Sequence, residues 1–393
     1  MAGSSVVTEN LPILGRENLP ILGRENSPIP GRPVDIRPPT VPAAEPPLWR
    51  RWELPTWGVV LAVYGGFLLL TWHFRHIPVW LGAPLGAVLL AWHGSLQHET
   101  IHGHPTRSRR LNAWLGAPPL ALWMPYAIYR ETHLQHHRQS GDGLTDPARD
   151  PESHYLLPGA LAGMKRWRRG IARFNTTLAG RLTVGPGLAI AALWRRELRR
   201  FSTGDRRRRR LWLGHAAGAA AVILWVAGVC GVPLPVYLGL VVYPSLSLTL
   251  LRSFIEHRAA SDPRQRTAVV EAHPAWALLF LNNNLHIAHH ACPALPWYEL
   301  PRVWRTLRPA AACRPGALFA GYGDILRQHL FRAVDGAEHP QAMLCDDCSG
   351  ADQRAAHRCG TEDHPPAEPG LSFACACASA SAGEHGLRPS IGL

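Results

Sequence analysis

Asn282-Asn283-Asn284-Leu285-His286-Ile287-Ala288-His289-His290 places three histidines at i, i+3 and i+4. On a helix this spacing stacks the imidazoles along one face, where they can converge on a metal ion. The same spacing recurs at His133, His136 and His137, and His98-Glu99-Thr100-Ile101-His102 adds a pair at i and i+4. Surface histidines fall at such spacings by chance, so one box is weak evidence. Three boxes separated by apolar spans point to a polyhistidine metal centre in a membrane protein.

The spans themselves are residues 56–72 and 77–92, then 211–229 and 232–251. Each is close to the minimum length for crossing a bilayer, and Trp57, Trp72, Trp80 and Trp92 sit at or near ends as interface anchors. The connections at His73-Phe74-Arg75-His76 and Cys230-Gly231 are short, so each pair forms a hairpin that returns the chain to its starting side. Residues 111–128 are also apolar but carry Gly116, Pro118, Pro119 and Pro125, which break a regular span. They read as a re-entrant or interfacial segment that leaves on the side it entered. The tails, the long loops, the arginine clusters and all three boxes then share one side. The fold expected is an all-α integral membrane protein: four transmembrane helices as two hairpins, a re-entrant or interfacial segment, and a cytoplasmic helical cap carrying the histidines.

A chain of 393 residues with a formal charge of +13 and a pI of about 10 is strongly basic, yet its mean hydropathy is near zero. The average hides the spans, which are diluted by arginine-rich segments and polar ends. Residues 195–210 alone hold nine arginines. Positive charge beside apolar spans marks the cytoplasmic face, and no recognition motif surrounds it, so nucleic acid is set aside as a partner. Residues 176–194, which include Arg181, are amphipathic and read as a helix lying on the membrane surface. Of eight cysteines, only Cys230, Cys292 and Cys313 lie in the body of the chain, so no disulfide framework supports the fold.

Three domains are expected. Residues 1–50 contain an octapeptide repeat (ENLPILGR at 9–16 and 17–24, ENSPIPGR at 25–32) followed by a Pro-rich run, and read as a disordered tail without the apolar core of a signal peptide. Residues 51–335 form the membrane domain. Residues 336–393, rich in Cys, Ala and Gly, read as a second disordered tail; Cys345, Cys348, His357 and Cys359 are too sparse for a secure zinc site.

Eight box histidines are too many for one ion and suit two, at four or five nitrogens each. Neutral imidazole serves Fe, Zn, Cu and Ni alike, and the pattern differs from carboxylate-bridged di-iron bundles. His257, just past the last span, offers a ninth ligand. His73, His76, His154, His215 and His329 read as ordinary surface or core residues, while His93, His104 and His273 stay open. Glu99, Glu131, Asp142, Glu256 and Asn284 are candidates to orient imidazole N–H groups.

The order HxxxH, HxxHH, HxxHH resembles the membrane fatty acid desaturase superfamily, which also includes alkane and carotenoid hydroxylases and ketolases. The likeness runs from about Trp57 to Tyr322, and NLHIAHHACPALPWYELP, residues 284–301, is similar to bacterial members. It implies two iron ions that activate oxygen, held by His98, His102, His133, His136, His137, His257, His286, His289 and His290. Ser253 stands where acyl-CoA desaturases carry an Asn that holds a metal-bound water, and Glu256-His257 is similar to alkane hydroxylases. The activity implied is insertion of a double bond into a lipid acyl chain, with hydroxylation or ketolation of an alkane, carotenoid or other lipid as the alternative. The protein is expected in a bacterial inner membrane with its active site on the cytoplasmic face.

No cytochrome b5 signature and no flavin or nicotinamide fingerprint occurs, so electrons must come from a separate protein such as an acidic ferredoxin steered by the basic face. A metal transporter with a cytosolic histidine sensor is a rival reading, opposed by the near absence of ionisable residues inside the spans. A membrane scaffold must dismiss all three boxes.

Overall fold

The computed structural model describes residues 47–340 other than 140–142, 261–264 and 315. The octapeptide repeat, the cysteine-rich segment beyond 340 and Asp142 lie outside the described residues.

Four helical stretches are long and apolar enough to cross a membrane: Leu54–His76, Val79–His102, Arg206–Val229 and Leu234–Glu256. A four-residue helix α1 (Leu48–Arg51) precedes them. In the first pair, α2 (Leu54–His73) and α3 (Val79–His102) run antiparallel, with Tyr64 beside His93, Gly66 against Leu89 and Phe74 against Gly82. Leu61, Trp80, Leu213 and Leu224 on these stretches are each at least two-thirds exposed. Large apolar side chains standing outward from a helix suit a hydrocarbon surround.

Two helices run further than hydropathy alone suggests. α3 continues past Trp92 to His102, a stretch free of proline, and stops where Gly103 takes a left-handed φ of 106° and its N–H caps the last turn. The first histidine box is therefore the end of a span. The last span, α10 (Leu234–Val236) continuing through a π-type stretch into α11 (Tyr243–Glu256), likewise reaches past Leu251 to Glu256. Gly86 meets Val241 and Gly94 meets Thr249, so α3 and α11 run in the same direction and bring His98, His102 and His257 to one end.

The segment expected to be re-entrant is a short helix α4 (Arg109–Gly116), an irregular stretch at 117–125, and α5 (Tyr126–Arg138). Irregular backbone among apolar helices needs side chains to satisfy its polar groups. Tyr64 Oη donates to the Leu115 carbonyl, Gln97 to that of Gly116 at 2.8 Å, Tyr237 Oη to that of Leu120 at 2.6 Å and His215 Nε2 to that of Leu122 at 2.9 Å. The irregular turn thus has a use: it launches α5, and with it the second box, beside the end of α3.

Beyond α5 come α6 (Arg166–Phe174), α7 (Leu178–Thr183) and α8 (Gly185–Ser202). The stretch read as one surface helix is therefore two helices, and Arg181 is buried. At Gly180 a Cβ would run into the Phe174 carbonyl oxygen, so only glycine permits this corner. α9 (Arg206–Ile223) follows and continues to Val229.

The C-terminal part holds α12 (Pro274–Leu279), α13 (His286–Ala291), α14 (Leu300–Ala312) and α15 (Tyr322–His329). An unforeseen pair of two-residue parallel strands, β1 (Val269–Val270) and β2 (Leu318–Phe319), ties this part together. Val269, Leu285, Ile287, Ala288, Leu300 and Trp304 form an apolar cluster beneath α13 and fix its orientation.

Candidate metal centre

The nine histidines singled out in the sequence converge. His98, His102, His133, His137 and His289 form one group and His136, His257, His286 and His290 a second; within each group the potential ligand atoms lie within 4.8 Å of one another. α5 and α13 each divide their box between the two groups, because residues three and four apart on a helix point to adjacent but different directions. His93, His104 and His273, left open by the sequence, lie outside both groups. His93 Nε2 pairs with Tyr64 Oη, His104 donates through Nδ1 to Glu53, and His273 caps α12 by accepting from the Ala275 N–H.

Tautomers decide what these groups can bind. His136 Nδ1 lies 2.9 Å from Asp150 Oδ1, His133 Nδ1 3.1 Å from Glu152 Oε1, and His286 Nδ1 3.1 Å from Asn283 Oδ1. Each partner is an acceptor, so each Nδ1 carries the proton and each Nε2 presents a lone pair. Those Nε2 atoms point into the groups: His133 Nε2 is 3.0 Å from His102 Nε2 and 3.1 Å from His137 Nε2, and His286 Nε2 is 2.8 Å from His257 Nε2 and 3.1 Å from His290 Nε2. His136 Nε2 is buried with no hydrogen-bond partner. Converging lone pairs in a closed space are stabilised by a cation between them. The donor set therefore fits one metal ion per group, with five and four imidazoles.

Burial makes the same point electrostatically. It disfavours imidazolium, and the neighbouring rings add to the effect, so His286, His289 and His290 are held well below the ordinary histidine range and His137 is lowered to about 3. At neutral pH these rings are uncharged and available as ligands. For His136 the burial penalty is outweighed by the Asp150, Glu152 and Glu256 carboxylates, which raise its pKa.

The orienting partners differ from those expected. Asp150 and Glu152, in the loop after α5, were missed; lying in an irregular loop, they had no periodic relation to the box they support. Asn283, rather than Asn284, joins the groups, accepting from His286 and placing its amide nitrogen 3.3 Å from His98 Nε2. Asn284 instead donates to the Val270 carbonyl. Glu131 faces away, paired with Arg200 and Arg208 at 3.2 and 3.0 Å. Glu99 lies 3.9 Å from His98 Nδ1 and accepts the Trp297 N–H at 3.0 Å, so it anchors the loop after α13. Glu256 stays near the centre, its buried Oε1 without a hydrogen bond but 3.6 Å from Arg252 Nε and 3.8 Å from His286 Nδ1.

A family model described as fatty acid desaturase matches residues 74–320, well over half of the chain, and covers every histidine of both groups. The chain belongs to the fatty acid desaturase family. Its membership agrees with the four apolar helices and the two histidine groups. Among curated proteins this desaturase-family chain is 26% identical over 224 residues to a zeaxanthin 4-ketolase of Chlamydomonas reinhardtii. That alignment covers 56% of this chain and 42% of the ketolase, so the chain spans less than half the length of that relative.

Proposed function

We propose that this protein is a membrane-bound, oxygen-dependent di-iron desaturase that inserts a double bond into a lipid acyl chain. The observation that carries the reading is the pair of buried imidazole groups, five and four nitrogens, at the shared end of α3 and α11. Two iron ions held there would supply the power to break an unactivated C–H bond with dioxygen. In the net reaction two neighbouring carbons each lose a hydrogen, dioxygen takes these with two protons and two electrons, and two waters leave.

The chain's own residues set the conditions. His98, His102, His133, His137 and His289 hold one ion and His136, His257, His286 and His290 the other, while Asp150, Glu152 and Asn283 keep the Nδ1 protons in place. Such outer partners raise ligand basicity and fix ring orientation. A cavity beside the site is lined by His93, Leu120, Leu122, Trp123, Met124 and Tyr129. The Tyr129 ring lies 5.7 Å from that of His133. The cavity's Leu120, Leu122, Trp123 and Met124 side chains supply the apolar edge at which an acyl chain would approach.

The arginine run at 195–210, at the start of the third apolar stretch, supports a cytoplasmic active site in a bacterial inner membrane. An acidic ferredoxin-like donor then finds a basic surface to approach.

A second reading, ketolation or hydroxylation of a carotenoid or other lipid, draws support from the likeness to the zeaxanthin ketolase and from Glu256-His257. Lipid and carotenoid extracts of a bacterial host expressing the protein, beside a His289→Ala control, separate the two by gas chromatography and mass spectrometry. New unsaturated acyl chains absent from the control support desaturation; oxygenated products support the second reading.

A further inference from the structure

We propose that α6 lies in the membrane surface and takes anionic phospholipid headgroups. From Ser153 through Arg196 the chain has no acidic residue and eight Lys or Arg residues. Five of these, Lys165, Arg166, Arg168, Arg169 and Arg173, belong to α6 or its N-cap. None of the five forms an ion pair among the described residues, though Arg169 donates to the Met164 carbonyl. α6 buries no residue, and Trp167 and Phe174 are 60% and 40% exposed.

The spacing gives the helix two surfaces. Trp167, Ile171 and Phe174 fall at i, i+4 and i+7, one apolar stripe, and at about 100° per residue Arg168 flanks one side while Arg166 and Arg173 flank the other. That is the layout of a helix whose aromatic face sinks into the acyl boundary and whose arginines reach outward to headgroups. Trp167 already carries the Arg168 guanidinium 5.1 Å above its ring.

Depth supports the same placement. α7, which follows α6, packs along the last span: Leu178 clusters with Leu251 and Phe254, the Leu182 carbonyl accepts from Ser247, and the Thr183 carbonyl accepts from Tyr243. The chain therefore descends along α11 from near Phe254 to Tyr243, and the C-terminal end of α6 joins the start of that descent, with the Phe174 carbonyl against Gly180 and Asn175 beside Gly185. Charge complementarity selects the lipid, because unpaired arginines beside a bilayer attract anionic headgroups and have no such attraction to zwitterionic ones. This inference does not depend on which reaction the metal centre performs.

The test uses the full chain in nanodiscs containing phosphatidylcholine and phosphatidylglycerol in one fixed ratio, with bromine on the acyl chains of one lipid or the other. The emission of Trp167 is taken as the difference between the wild-type protein and Trp167→Phe. Quenching at least about twofold stronger by brominated phosphatidylglycerol, per mole of quencher, is expected. High salt, or the combined Arg166→Gln, Arg168→Gln and Arg173→Gln changes, should remove the preference. Equal quenching by both lipids, or none by either, would overturn the proposal.

Discussion

The Nδ1–H of His136 donates to Asp150 at 2.9 Å, and both side chains are almost completely buried. Asp150 also accepts the backbone N–H groups of Thr145 and Glu152, at 3.0 and 2.9 Å, so the carboxylate is itself locked in place. Asp150→Asn retains the size but weakens the acceptor, and an amide flip can present a donor to the ring. Metal affinity at the second group should fall by roughly 10- to 100-fold, the usual effect of removing such a partner. Titration of the apoprotein with ferrous iron checks this; unchanged affinity at both sites would remove Asp150 from the account.

Glu131, two residues before the second box, looked like a partner for an imidazole, yet it joins Arg200, Arg208 and, through Arg208, the fully buried Glu197. Glu197→Gln should remove the buried one of the two carboxylates that pair with Arg208 and cost roughly 3 kcal/mol. Thermal unfolding should show the loss while metal content per folded chain is unaltered.

Acid should loosen the metal-free protein through the same rings that bind metal. His137 has its pKa lowered from 6.5 to about 3, chiefly by burial, so between those values the unfolded chain binds the proton and the folded one does not. Stability contributed in this way is present above about 6.5 and is lost as pH falls toward 3. The depressed Glu152 acts with the same sign, while His136, whose pKa is raised, opposes it. The melting temperature of the apoprotein should therefore drop on acidification through this window, and His137→Gln should flatten the drop.

Residue spacing in the sequence collected eight of the nine histidines, because box geometry is local to one or two helical turns; His257 came from its place just past the last span. The spans were legible by their apolar runs but underestimated at their histidine ends, where His98, Gln97 and Glu256 lower hydropathy without breaking a helix. What stayed hidden depends on tertiary packing. Asp150 and Glu152 reach α5 from an irregular loop, and the choice of Asn283 over Asn284 follows from left-handed backbone at Leu281 and Asn282, which no periodicity anticipates. Arg181 looked like a surface charge because its corner rests on the close approach at Gly180.

Two histidine groups are expected to hold two metal ions. Iron and other metals in the purified, iron-supplied protein can be counted by mass spectrometry, beside His289→Ala in the first group and His290→Ala in the second. Two irons per wild-type chain, with occupancy lost in each variant, is the predicted result. A single ion per chain, or a count that neither substitution changes, would show that the two groups do not each hold an ion.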